Sequence, residues 1–257
     1  MGTIKEVVAS LTGIETSTLD ENPDEFMRVA HRIQAFASKR QDEKDHEPQP
    51  KVLNEEELRG QIEMSLRSQG IPKRISDILM DVDAFLPTKA VQRTQRWMKT
   101  ATKEGWCLVL SGGKGCGKST AAGYWLMADT QKRAEGSIDR PMPTGRRWWT
   151  SSRMARESSY SYSEGMEKIM QTPLMVVDDM GVEYMDKNGF FRHRMDELLD
   201  ERYSNYRRTV ITTNLNWKDF VARYGERVGD RIREGFPGGG AFFETSERSL
   251  RGKVLGS

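Results

Sequence analysis

The stretch Gly112-Gly113-Lys114-Gly115-Cys116-Gly117-Lys118-Ser119 decides the fold of this 257-residue chain. It matches the pattern G-x-x-x-x-G-K-[ST] at every fixed position, and this pattern is typical of a phosphate-binding loop. Its glycines let successive backbone N–H groups turn toward phosphate oxygens, while Lys118 reaches the terminal phosphates and the Ser119 hydroxyl reaches Mg²⁺. The residues predicted to contact ATP or ADP are Gly112, Gly113, Lys114, Gly115, Cys116, Gly117, Lys118, Ser119 and Thr120.

The flanks of this loop indicate an α/β fold. A short apolar run, residues 106–110, precedes the loop, and residues 120–127 continue as a helix. Further strands are predicted at 147–150, 174–177 and 209–213, and segments with helical periodicity lie between them, for example 191–203. Strands that are apolar throughout and alternate with helices predict a parallel sheet covered on both faces, in three αβα layers.

Two acids follow the predicted strand 174–177. Asp178 comes first and would hold Mg²⁺; Asp179, the next residue out, would orient or deprotonate an attacking water. Two acids at a strand end are often only a solvated turn. Their position about 60 residues after a phosphate loop favours the catalytic interpretation.

Asn214 follows the predicted strand 209–213 at the same edge of the sheet. It would position the water or sense the terminal phosphate. The alternative is that Asn214 caps the predicted helix 217–224.

The charge is divided unevenly along the chain. Residues 1–60 carry 8 Lys and Arg against 13 Asp and Glu, whereas residues 61–257 carry 32 against 25. An amphipathic helix is predicted over residues 23–40, followed by a Pro-containing linker without apolar periodicity. We therefore expect a helical, acidic N-terminal module with its linker at 1–53, and the ATPase core with a leading helix at 54–257.

Cysteine content and hydropathy bear on the compartment. Only Cys107 and Cys116 occur, and they form no C-x-x-C pair, which excludes a disulfide framework and a cysteine-rich zinc site. No apolar run approaches the length of a membrane span. We expect a cytoplasmic protein without membrane contact.

Four further segments resemble the DnaC/DnaI/IstB branch of the AAA+ ATPases, which contains bacterial and phage replicative helicase loaders. They are residues 70–75 (Gly-Ile-Pro-Lys-Arg-Ile), 177–181 (Val-Asp-Asp-Met-Gly), 211–215 (Ile-Thr-Thr-Asn-Leu) and 224–233 (Tyr-Gly-Glu-Arg-Val-Gly-Asp-Arg-Ile-Arg). The resemblance covers roughly residues 70–251, and the last of these segments is its most specific part.

The resemblance implies roles for several residues. Lys118, Ser119, Asp178, Asp179 and Asn214 match the phosphate, metal, water and sensor positions. Arg231 matches an arginine finger that acts in trans on a neighbouring subunit, with Arg227 as the alternative finger; the competing interpretation is a surface ion pair with Glu226 or Asp230. Arg153 and Arg156 match a DNA-contacting helix, and Arg251 matches a terminal nucleotide contact, in a chain with no separate helical lid.

The function that the resemblance implies is ATP-dependent loading of a replicative helicase in a bacterial or phage-infected cell. The chain would form a homo-oligomer on single-stranded DNA, and its N-terminal helices would bind the helicase. Asp179 replaces a common Glu, so ATP hydrolysis is expected to be slow and dependent on assembly. Two alternatives stay open: an IstB-like transposition ATPase that binds duplex DNA, and a small-molecule P-loop kinase.

Overall fold

The structure is a computed structural model that describes residues 54–100, 105–136, 140–158, 164–183, 189–235 and 241–250. The N-terminal module predicted at 1–53, including the helix 23–40, lies outside the described residues, as does Arg251. No described helix is both long enough and apolar enough to span a membrane.

Five parallel strands form one sheet. Its strands are β1 Cys107–Gly112, β2 Trp148–Thr150, β3 Met175–Met180, β4 Thr209–Thr213 and β5 Phe242–Thr245. Their spatial order is β2-β3-β4-β1-β5. In register, Val109 of β1 pairs with Ile211 of β4 on one side and with Phe242 of β5 on the other.

Nine helices occur among the described residues. They are α1 Glu55–Ser68, α2 Lys73–Met80, α3 Lys89–Met98, α4 Lys118–Ala134, α5 Ser151–Ser158, α6 Glu164–Gln171, α7 Phe190–Ser204, α8 Trp217–Tyr224 and α9 Glu226–Arg233. A capping box starts the leading helix: the Asn54 side chain accepts from Glu57 N–H at 2.9 Å, and the Glu57 side chain accepts in return from Asn54 N–H.

The sheet separates two hydrophobic cores because successive strand residues face opposite sides. Leu108 and Leu110 of β1 pack in one core, with α1, α3 and α4. Cys107 and Val109 pack in the other, with α5 to α9. Helices therefore cover both faces, and the predicted three-layer αβα fold is confirmed.

The structure also corrects the predicted strands. Strand β3 extends to Met180 and thus contains Asp178 and Asp179, with a register irregularity between Val177 and Met180. The fifth strand, β5, was not predicted. Its four residues are too short for a periodic pattern, and its position comes from pairing with β1 about 130 residues earlier in the chain.

Candidate nucleotide-binding site

The phosphate loop joins β1 to α4 and requires its glycines. Gly112, Gly115 and Gly117 have φ of 141°, 81° and 89°, values that side chains other than hydrogen rarely allow. A Cβ on Gly112 would lie 2.4 Å from Thr245 O, and one on Gly117 would lie 2.9 Å from Thr88 Cγ2. Two neighbouring segments therefore pack so closely against the loop that Gly112 and Gly117 leave no room for a side chain.

Lys118 crosses this loop. Its ammonium donates to Gly112 O and Gly113 O, each at 2.8 Å, and to Asn214 Oδ1 at 3.1 Å. Although Lys118 is only 6% exposed, no carboxylate bonds it within the described residues. The charge of Lys118 is thus held among neutral acceptors, which favours binding of an anion there.

Asp178 is the buried acid of the site. It is 5% exposed, and its Oδ1 accepts from Ser119 Oγ at 2.8 Å and from Thr212 Oγ1 at 2.7 Å. Burial raises the pKa of Asp178 to about 6, and the nearby charge of Asp179 adds to the rise, while the hydrogen bond from Thr212 opposes it. A cation bound at this carboxylate would relieve the cost of burying its charge.

Asp179 lies one residue farther out and is exposed. Its φ of 56° is unusual for a residue with a side chain. Two contacts fix this backbone: its N–H donates to Thr212 Oγ1 at 2.9 Å, and its carbonyl accepts from Ser151 Oγ at 2.7 Å. With this backbone conformation, the Asp178 side chain is buried and the Asp179 side chain is exposed.

Asn214 reaches the site directly, as its contact with Lys118 shows. The alternative that it caps the following helix is wrong, because Asn216 is the N-cap of α8 and accepts from Asp219 N–H. Asn214 therefore lies beside the phosphate loop and does not cap α8.

The end of the described chain also contacts the loop. Leu250 N–H donates to Gly115 O at 2.9 Å. Just before it, Glu247 accepts from Lys89 N–H at 3.0 Å, next to the Thr88 that abuts Gly117. The segment after β5 thus lies against the phosphate loop and the start of α3.

The two candidate finger arginines share two carboxylates. Arg227 pairs with Asp196 at 3.1 Å and with Asp200 at 2.9 Å. Arg231 pairs with the same two aspartates. The expected alternative partners, Glu226 and Asp230, are not the ones that these arginines contact, because α9 packs its basic face against α7. The Arg227 side chain is 62% exposed and that of Arg231 is 15% exposed.

Arg153 and Arg156 lie on α5, which directly follows β2. Arg153 pairs with Glu157 at 2.7 Å and lies over the buried Trp149 ring, whereas Arg156 is exposed. Arg146 lies over the same ring. Trp149 is therefore a packing platform for cations and is not exposed for base stacking.

Two residues of the site were missed in the sequence. Thr212 bridges Asp178 and Asp179. In the sequence, the only indication of this role is that Thr212 carries a hydroxyl near the end of another predicted strand. Glu183, 4% exposed, accepts from Gly181 N–H at 2.8 Å and from Tyr224, and pairs with Arg223 at 3.1 Å. Glu183 thereby joins the turn after β3 to the end of α8.

The described residues fit a nucleotide with Mg²⁺. The loop supplies the Lys118 ammonium, and Ser119 and Asp178 supply oxygen ligands of the kind that Mg²⁺ binds. Mg²⁺ would neutralise phosphate charge there. Lys118 would hold the terminal phosphate, and Asp179 would be near enough to the metal ligand to orient a water.

Comparisons with known proteins find a similarity to a helicase loader over part of the chain. An 80-residue stretch is 31% identical to the replicative helicase loader DnaC of Escherichia coli (strain K12), covering 31% of this chain and 32% of that protein. The DnaC loader of Shigella flexneri matches over the same length with the same identity. The match spans about a third of these curated relatives. No family profile matches the chain.

The fold is also found in a crystal structure of the DnaC helicase loader. The TM-score is 0.50 at 21% sequence identity, and the match covers 67% of this chain and 99% of that one. The resemblance to DnaC-like proteins, inferred from short segments of sequence, is confirmed.

Proposed function

We propose that this protein is an ATP-dependent loader that delivers a replicative helicase to single-stranded DNA when replication starts. The observation that carries the proposal is the similarity to a replicative helicase loader. The phosphate loop, Asp178 and Asn214 converge in the same chain, as an ATP-driven loader requires.

The proposed chemistry is hydrolysis of ATP to ADP and phosphate. Lys118 and the loop N–H groups stabilise charge on the phosphates, Ser119 and Asp178 bind Mg²⁺, and Asp179 takes the proton of the attacking water. Asp179 has a short side chain, so the rate is expected to be low. Such a protein works as a switch, with ATP marking the assembled state.

The proposed dependence of hydrolysis on assembly comes from the arginines of α9. Arg227 or Arg231 would stabilise the transition state in a neighbouring subunit, and hydrolysis would then require a homo-oligomer. Arg153 and Arg156 would contact single-stranded DNA, Arg251 would contact the nucleotide, and the acidic module 1–53 would bind the helicase.

A loading assay tests the proposal. Purified protein, the helicase of the same genome and circular single-stranded DNA are mixed with ATP, and helicase retained on the DNA is measured after a high-salt wash. We expect loading by the wild type and none by Lys118→Ala, which loses its charge toward the phosphates. Lys132→Ala, an exposed lysine of α4 outside the loop, is the matched control.

Deletion of residues 1–50 is the second arm. It is expected to abolish helicase binding in a pull-down while ATP binding persists. Undiminished helicase binding would reject the assigned role of the N-terminal module, and loading by Lys118→Ala at the wild-type level would reject ATP dependence.

A further inference from the structure

The helix α3 presents a row of cations at the edge of the sheet opposite to α5. Lys89, Arg96 and Lys99 are exposed at spacings of seven and three residues, which places them on one side of the helix. We refer to these three residues as the α3 basic face. It extends about 15 Å, since an α-helix rises about 1.5 Å per residue.

These charges lack compensation in the part of the chain that the structure describes. None of the three makes an ion pair there, whereas Lys73 of α2 pairs with Asp77 and Arg67 of α1 pairs with Glu63. The sequence carries no acid from residue 84 to residue 103. An uncompensated row of cations on an ordered helix favours a polyanion as its partner.

Neighbouring acids are already engaged. Glu247 accepts from the backbone N–H of Lys89, and Glu244 of β5 accepts from Trp217 N–H at 2.9 Å. Asp129 of α4, the helix beside α3, pairs with Arg133 and Arg147. None of these carboxylates forms an ion pair with a side chain of the α3 basic face among the described residues.

More positive charge lies at the carboxyl end of α3. Arg208 donates to Trp97 O at 2.6 Å and lies over the Trp97 ring at 3.9 Å. Burial lowers its pKa to about 10. The partners of Arg208 are the uncharged groups of this helix end, so its charge adds to that of the α3 basic face.

The chemistry of the face favours backbone phosphates over bases. Trp97, the aromatic residue of α3, is fully buried, and so the face offers no ring for stacking. Proteins that bind single strands without sequence preference commonly combine cations with exposed aromatic rings. Duplex DNA presents about one negative charge per 1.7 Å of axis, and cations alone supply nearly all of its binding without sequence preference.

We propose that the α3 basic face binds the sugar-phosphate backbone of duplex DNA. The two edge strands, β2 and β5, are about 19 Å apart at a strand spacing of about 4.8 Å, and α3 and α5 pack on opposite faces of the sheet. The face is therefore a second nucleic-acid surface, separate from Arg153 and Arg156. It does not depend on the loader function.

Salt dependence of binding tests this surface. The affinity of full-length protein for a fluorescent 20-base-pair duplex is measured by anisotropy across a series of salt concentrations. Arg96→Ala combined with Lys99→Ala is expected to reduce the slope of log K against log salt by about 2, since each neutralised phosphate contributes about 0.9. At 0.1 M salt, this corresponds to roughly 60-fold weaker binding.

The matched control combines Arg67→Ala with Lys73→Ala, which removes the same charge from paired positions and should keep the wild-type slope. Circular dichroism and binding of a fluorescent ATP analogue should be unchanged in both variants, since none of these side chains contacts the phosphate loop. An Arg96→Ala/Lys99→Ala slope equal to that of the control overturns the proposal.

Two further arms assign the surface to other partners. A slope change seen only with a 20-nucleotide single strand overturns the duplex assignment. If the Arg96→Ala/Lys99→Ala variant binds DNA normally but no longer binds purified helicase, the α3 basic face binds a protein partner. That result also overturns the proposal. The Arg153→Ala/Arg156→Ala variant, measured in parallel, reports on the single-strand surface. Because the DNA titrations contain no helicase, their result does not depend on whether the protein is a loader.

Discussion

Thr212 donates its hydroxyl hydrogen to Asp178 Oδ1 over 2.7 Å and accepts the N–H of Asp179. One side chain of β4 therefore fixes both acids of β3. Thr212→Val keeps the shape but removes both bonds, and should lower the free energy of unfolding by about 1–3 kcal/mol. Urea unfolding measures this loss, and Mg²⁺-dependent ATP binding should weaken too. Thr212→Ser, which keeps the hydroxyl, should behave nearly as wild type; equal losses in both variants would contradict the assigned role.

We expect the ionised Asp178 carboxylate, which would bind Mg²⁺, to lower the stability of the metal-free protein. Its pKa of about 6 in the folded protein exceeds the ordinary value of 3.8, so the folded state binds the proton more tightly. Without Mg²⁺, the contribution of Asp178 to stability is therefore fully present below pH 4 and is lost as the pH rises through 6. Asp178→Asn removes the ionisation and should be more stable than wild type above pH 6, by roughly 3 kcal/mol at most.

The measurement for Asp178→Asn is urea unfolding without metal at pH 5, 6 and 8. The stability gain should shrink as the pH falls toward 4, and Mg²⁺-dependent ATP binding should be lost. A gain that does not change with pH would assign the effect to packing instead of ionisation.

Arg227 and Arg231 both pair with Asp196 and Asp200, but we expect them to contribute differently to the free energy of unfolding. The Arg231 side chain is largely buried, whereas that of Arg227 is mostly exposed. Arg231→Ala should cost about 1–3 kcal/mol of unfolding free energy. Arg227→Ala should cost less than about 1 kcal/mol, as for other exposed pairs.

The stable Arg227→Ala variant then permits a test of action in trans. Each of Lys118→Ala and Arg227→Ala should be inactive alone if Arg227 is the finger, and a mixture should recover ATPase activity. Full activity of Arg227→Ala alone would leave Arg231 as the finger.

Glu183 should be the most sensitive carboxylate outside the metal site. Burial raises its pKa, but hydrogen bonds from Tyr224 and from backbone N–H groups outweigh burial and hold the pKa below 4.5. Glu183→Gln places an amide among donors and should destabilise the fold at pH 7 by about 3 kcal/mol. Because the folded pKa is lowered, the stabilisation is complete above pH 4.5 and disappears as the pH falls further. Urea unfolding at pH 7 and pH 4 measures both effects, and Glu63→Gln, at an exposed ion pair, is the control.

Local patterns predicted the centre of the site. The phosphate loop is eight consecutive residues, and Asp178 and Asn214 each follow a predicted strand, so sequence neighbours alone indicate their place. Parallel strands then bring the three segments to one edge of the sheet.

Contacts between distant segments could not be predicted in this way. Thr212 meets acids 33 and 34 residues earlier in the chain, and Glu183 meets Tyr224 41 residues later. The aspartates that pair with Arg227 and Arg231 lie on another helix. These partners follow from the docking of α7, α8 and α9, which periodicity within one helix does not specify.

The contact of Thr245 with Gly112 and that of Leu250 with Gly115 set an order of events during synthesis. The ribosome makes the phosphate loop long before it makes β5, so an emerging chain has the loop without the strand that supports it. The loop can take its final shape only after the last strand has left the ribosome and docked on β1. A nascent chain that lacks β5 therefore lacks the native support of its phosphate loop, and we expect that loop to bind a nucleotide less well than the loop of the full chain.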